Sequence, residues 1–150
     1  MELERAIKTT GFKSQKHKAV VNVMFTAYQV KSRVSRILKE FALTPEQFNV
    51  LRILKGSHPT PLCIKEIAER MIERNSNVPR IADRLALKKL IKRTPSSEDR
   101  RETLLHITPA GIHLLNAASE TIESHQSDFV NLTEDQAANL NLLLENLLKE

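Results

Sequence analysis

Between residues 76 and 88, Ser76, Arg80, Arg84 and Lys88 recur at intervals of four. On a helix that spacing places them in one row along one face. Asn77 stands beside Ser76 at the N-terminal end of the row. Arginine can donate two parallel hydrogen bonds to O6 and N7 of guanine, and asparagine can make a bidentate pair with adenine. Free N–H groups and the positive end of the dipole at a helix start suit a phosphate. The other stripe of the segment, Val78, Ile81, Ala82 and Leu85, is apolar, so one edge anchors while the other is cationic. A solvated, salt-bridged face is the plain alternative. Against it, Asp83 is the only acid among residues 76–93, too few to neutralise the row.

Basic residues continue downstream. Lys92 and Arg93 suit phosphates, and Arg100 and Arg101 close the polar loop that begins at Pro95. A loop arginine can enter a minor groove, where A·T tracts concentrate negative potential. A hairpin-tip ion pair with Glu98 or Asp99 is the competing role, and one arginine can take each.

Elements must position these groups, and the chain punctuates them clearly. Leu90–Thr94 and Glu102–Ile107 read as two strands of a hairpin around the loop. Residues 64–73 form a short amphipathic helix with Ile64, Ile67, Ala68 and Met71 on its apolar face. Before it, Thr44-Pro45-Glu46-Gln47 supplies an N-cap, a proline in the first turn and a capping-box glutamine. The helix it opens turns Phe48, Leu51, Ile53 and Leu54 inward. Upstream, Val20, Val23, Ala27, Val30, Val34, Ile37 and Phe41 alternate steps of three and four. That is the seam of a helix of about 25 residues, about 37 Å long at 1.5 Å per residue, which overreaches a small domain's core. Thr108-Pro109 begins another helix, and Thr133-Glu134-Asp135-Gln136 begins the last. Leu140, Leu143, Leu144, Leu147 and Leu148 give that last helix an apolar face that needs a partner.

The reading is a mainly α chain with a small antiparallel β-wing, a winged helix-turn-helix in which the second short helix enters the major groove. Residues 1–150 form a single unit. Within it 44–107 is the DNA-binding lobe, and 16–41 and 108–150 are helices for pairing with a second copy. Charge follows the same division. Nine basic residues face three acids over 1–40, and the same counts hold over 74–101. Residues 102–150 hold one lysine against eight acids. Such segregation fits a nucleic-acid surface separate from a partner surface.

Three stretches resemble the MarR family of regulators (multiple-antibiotic-resistance regulators). They are Leu43–Leu51, then Ile67–Met71 with Asn75–Val78, and Asp99-Arg100-Arg101 followed by Leu105, Ile107, Thr108 and Gly111. The last looks like the family's wing signature, Asp-x-Arg leading to a Thr-x-x-Gly helix start. The resemblance implies a homodimer on a pseudopalindromic duplex and a transcriptional regulator, usually a repressor, often released by a small molecule or by oxidation. It also implies a ligand pocket between the dimer helices and the DNA-binding lobe, for which Met24, Tyr28 and Phe48 are the candidates beside an ordinary core role. Three positions depart from the family's pattern: Lys89 where glycine is common, Pro79 early in the recognition helix, and Thr94 where many relatives carry arginine.

Other chemistry is thinly represented. Cys63 is the only cysteine, so no internal disulfide is possible, and a small, partly buried thiol is expected rather than a redox switch. His17, His58, His106, His113 and His125 include no i,i+3 or i,i+4 pair, so neither a metal nor a cofactor is expected. No nucleophile elbow or phosphate-binding glycine loop occurs, which speaks against an enzyme. Without a signal peptide or a run of about 18 apolar residues, a cytoplasmic protein that does not enter the membrane is expected. The rival reading is a winged helix used as a protein-interaction module, its basic row meeting an acidic partner.

Overall fold

The structure, a computed structural model, describes residues 2–99 and 101–148. In chain order it contains α1 (Leu3–Ala6), α2 (Gln15–Lys39), α3 (Pro45–Ser57), β1 (Leu62–Cys63), α4 (Ile64–Arg70) and α5 (Val78–Leu87). These are followed by β2 (Ile91–Pro95), β3 (Thr103–Ile107), α6 (Pro109–Ser124), a 3-10 turn at Gln126–Asp128 and α7 (Glu134–Glu145). The three strands form one antiparallel sheet in the order β1-β3-β2.

Helix starts fall where side chains can cap them. Thr44 and Gln47 make a reciprocal capping box at α3, and Thr133 and Gln136 do so at α7. Each box satisfies two backbone donors that a helix start otherwise leaves without partners. The sequence pattern missed strand β1, as it missed α1 and the 3-10 turn. Strand β1 is two residues long and exists only because Leu62 and Cys63 pair with Leu105 and Leu104 of β3, a tertiary pairing with no local periodicity. Cys63 accordingly sits in a strand and is half-buried, as a free thiol.

Helix α3 runs through the middle of the core. Its Val50, Leu51 and Leu54 are buried together with Leu38 of α2, Ile67 of α4, Leu85 of α5, Leu105 of β3 and Leu115 of α6. Along α2, only Leu38 is buried within the chain. The upstream seam is largely open: Met24 is 69% and Tyr28 68% exposed, and Val20 is also exposed. Helix α7 buries none of its residues, and Leu140, Leu142, Leu143 and Leu144 all face solvent.

The junction of wing and α6 is the tightest point in the lobe. Thr108 caps α6 by accepting the Gly111 N–H at 3.0 Å, and its hydroxyl lies 2.9 Å from the Lys89 carbonyl and 3.0 Å from that of Leu90. This packs the first turn of α6 against residues 89–90. A Cβ on Gly111 would lie 2.2 Å from the Leu90 carbonyl oxygen and 2.9 Å from Ile107 Cγ1. The first contact is with backbone, which cannot swing aside. Gly111→Ala is therefore expected to lower stability by about 2–3 kcal/mol through overpacking. Urea unfolding of the variant checks this, and an unchanged midpoint would contradict it.

Candidate nucleic-acid interface

Helix α5 is held by one edge. Val78, Ala82 and Leu85 are at most 1% exposed, and Ile81 is half-buried against the same core. The other edge carries Arg80, Asp83, Arg84 and Leu87, all exposed. Among the described residues, no ion pair involves Arg80 or Arg84. Two guanidinium groups thus stand free on a rigidly seated helix, beside the exposed apolar side chain of Leu87.

The first turn is built differently from the sequence expectation. The helix starts at Val78 rather than Ser76, with Asn77 as N-cap. Asn77 Oδ1 accepts the Arg80 N–H at 3.1 Å, so the side chain's carbonyl is committed to the cap. Ser76 precedes the helix, and its Oγ is buried without a hydrogen-bond partner. Pro79 occupies the first turn, where no intrahelical acceptor awaits its missing N–H, so it costs the helix no bond.

The far end differs too. Lys88 does not extend the cationic row: its ammonium donates to the Ala42 carbonyl and, at 3.2 Å, to Gln47 Oε1. Gln47 is a buried polar residue, and its Oε1 also accepts the Thr44 N–H at 3.3 Å. Lys88 therefore ties the C-terminus of α5 to the start of α3, which engages two of the three N–H donors of its ammonium. Lys89 does adopt the left-handed conformation, φ 58°, at a cost of about 1 kcal/mol relative to glycine. The Leu90 N–H reaches back to the Leu85 carbonyl at 3.0 Å, closing the helix as a Schellman turn does.

On the wing, Lys92 and Arg93 are exposed along β2. Arg93 Nη2 pairs with Asp83 Oδ1 at 2.6 Å, so that guanidinium links wing to recognition helix. Thr94 Oγ1 lies 2.8 Å from His106 Nε2 across the hairpin, which gives the threonine a structural partner. The Asp99 carboxylate accepts the Arg101 backbone N–H at 2.9 Å and shapes the turn. The Arg101 side chain is 94% exposed, its Nε 3.6 Å from Asp99. Arg100 lies outside the described residues.

A cleft of about 290 Å³ opens where the start of α3 meets α5, lined by residues that include Thr44, Gln47, Ser76, Arg80 and Arg84. Met24, Tyr28 and Phe48 do not line it. Met24 and Tyr28 are exposed on α2, whereas Phe48 packs against the core. Capping made the start of α3 legible, but nothing local in sequence revealed that it forms a wall with α5. Nor did it reveal Lys31 of α2, whose ammonium bonds Glu46 Oε1 at 3.2 Å and the carboxylate of Glu73 in the turn before α5. The Glu73 hydrogen bond chiefly holds the Lys31 pKa above its ordinary value, outweighing partial desolvation. Burial pushes the Glu46 carboxyl up, but its backbone hydrogen bond, Lys31 and Thr44 together leave it below the ordinary range. The Ile72 N–H donates to Asn49 Oδ1 at 3.0 Å, so this turn is fastened to both α2 and α3. Among the described residues, no group of three or more His, Cys, Asp or Glu could hold a metal ion. Among the described residues, no helix is long and apolar enough to cross a membrane.

Comparison with known proteins agrees with this arrangement. The family model described as MarR family matches residues 43–103. The transcriptional repressor IacR of Pseudomonas putida is 34% identical over 113 residues, which cover 75% of this chain and 66% of IacR, just under two thirds. The regulator MgrA of Staphylococcus aureus is 29% identical over 139 residues, 87% of this chain and 90% of MgrA. Among solved structures, a mutant of MarR from E. coli complexed with operator DNA superposes with a TM-score of 0.79 at 20% identity. The superposition covers 99% of this chain and all of that one.

The brace at Lys88 yields a direct expectation. Lys88→Met leaves the buried Gln47 carbonyl and the Ala42 carbonyl short of a charged donor, and stability should fall by about 1–2 kcal/mol. Denaturant titration of variant and parent measures it, and a difference within error would remove the brace.

Proposed function

Because residues 43–103 match the MarR family model and the chain is similar to regulators such as IacR and MgrA, we propose that it is a MarR-type, sequence-specific, duplex-DNA-binding transcriptional regulator, a homodimer acting as a repressor released by a small molecule. One observation carries the proposal. Arg80 and Arg84 are exposed and free of ion pairs among the described residues, on a helix whose other edge is locked into the core. In this reading α5 lies in the major groove. Arg80 and Arg84 donate to guanine edges, and Asn77, its carbonyl engaged, offers only its amide donor. Lys92 and Arg101, with Arg100 beside it, meet phosphates or the adjoining minor groove, and Arg93 reaches DNA only by sharing itself with Asp83. Ser76 supports the tip rather than touching a base.

Pairing explains what the single chain leaves uncovered. The exposed Val20, Met24 and Tyr28 of α2 and the leucine face of α7 are too large an apolar surface for a monomer. A second copy covering them would place two recognition helices on half-sites about one helical turn apart. Residues 16–41 and 108–150 then supply the dimer helices, and 44–107 the DNA-binding lobe. An effector seated in the cleft beside α5 would occupy Arg80 and Arg84, making effector and DNA mutually exclusive. Met24 and Tyr28 would join a pocket only through the partner. The protein acts in the cytoplasm and carries no catalytic role in this account.

Selection of duplexes from a random pool with purified protein should recover a two-fold symmetric site. On it, Arg84→Ala should lose about 1–3 kcal/mol and relax preference at one base pair per half-site. Recovery of no preferred sequence, with tight binding to an acidic protein instead, would favour the interaction-module reading. Leu140→Glu combined with Leu144→Glu should convert the dimer to a monomer in sedimentation velocity. A dimer that survives this pair of charges would move the interface elsewhere.

A further inference from the structure

The first turn of α5 has no backbone donor to spare. The Val78 N–H reaches the Ser76 carbonyl at 3.0 Å, and Pro79 has no N–H. The Arg80 N–H is taken by Asn77 Oδ1 at 3.1 Å, and the Ile81 N–H by the Asn77 carbonyl at 3.0 Å. A helix start usually leaves such groups open, and that is what makes it an anion site. Here residues 78–81 leave a phosphate no free N–H.

What the tip offers outward is the pyrrolidine ring of Pro79, exposed and next in the chain to the exposed Arg80. The ring neither donates nor accepts a hydrogen bond, and its fixed φ holds it rigidly. It can therefore discriminate only by shape and apolar contact. The major groove presents one apolar group on its base edges, the 5-methyl of thymine. We propose that Pro79 is a specificity-determining residue that packs on a thymine methyl next to the base read by Arg80. This inference rests on the DNA-binding reading above and adds a contact that hydrogen-bond pairing alone would not assign. Arg80 supplies the polar half of the local code and Pro79 the apolar half.

Deoxyuridine lacks only that methyl, so it isolates the contact. In the selected duplex, each thymine is replaced singly by deoxyuridine, and affinities are measured at one salt concentration for wild type, Pro79→Ser and Pro79→Ala. For wild type, one replacement per half-site should weaken binding roughly three- to fivefold, the scale of one buried methyl. Pro79→Ser, which a first helical turn accommodates, should lose the discrimination while responding to every other replacement as wild type does. Pro79→Ala, smaller but still apolar, should keep part of it, which guards against a serine variant that folds poorly. The inference is overturned if no single replacement weakens wild type by more than twofold, or if both variants retain the full effect. A selection that yields no preferred duplex would instead defeat the DNA-binding reading itself, and this contact with it.

Discussion

Val78, Ala82 and Leu85 bury one edge of a ten-residue helix against α3, α4 and the wing, and the direction of its cationic edge depends on that burial. A helix this short is not stable alone; its geometry comes from the apolar stripe. Because the stripe is fully occupied, rotation of α5 about its axis would expose leucine and bury arginine, and both changes are unfavourable. The same packing that stabilises the lobe therefore fixes the direction in which Arg80 and Arg84 project. Lys88, Arg93 and the Thr108 junction hold its ends: one cation ties α5 to α3, another ties it to β2, and a threonine hydroxyl seats α6 on the residues between.

This division of labour among the basic residues is the main lesson of the site. Three of the cations that line the recognition helix and wing in sequence belong to different tasks in space. Arg84 is free, Lys88 is a brace, and Arg93 is shared with Asp83. The helix tip shows a similar economy. A cap, a proline and a serine carbonyl consume its donors, leaving side chains rather than backbone to meet a partner.

Much of this was legible from residue order. The capping boxes at Thr44 and Thr133, the cap at Thr108, the apolar stripe of α5 and the hairpin around residues 95–102 all stand where the local chemistry places them. Each is decided within a few residues of chain. What escaped is decided across the fold. Strand β1 exists through β3, Lys88 turns inward because Ala42 and Gln47 present carbonyls there, and Lys31 matters because two carboxylates from distant segments meet it. Asn77 and Pro79 sit between these cases. Their types announced a helix start, but moving that start by two residues made Asn77 the cap, with its amide donor left for a base, and put Pro79 where it costs no helix bond.

The exposed seam of α2 and the leucine face of α7 leave the chain with a second large surface, remote in character from the cationic one. One surface asks for a copy of itself and the other for a polyanion, in keeping with the charge segregation along the chain. The central claim, that the free edge of α5 is the DNA-reading edge, can be tested on the arginine side chains themselves. Nε–H resonances of protein labelled at arginine, followed during titration with a selected duplex, should show Arg80 and Arg84 shifting strongly. Arg33, whose guanidinium donates to the Asp128 carbonyl at 2.8 Å, should stay in place. Saturable duplex binding that leaves the Arg80 and Arg84 signals unmoved would contradict the account.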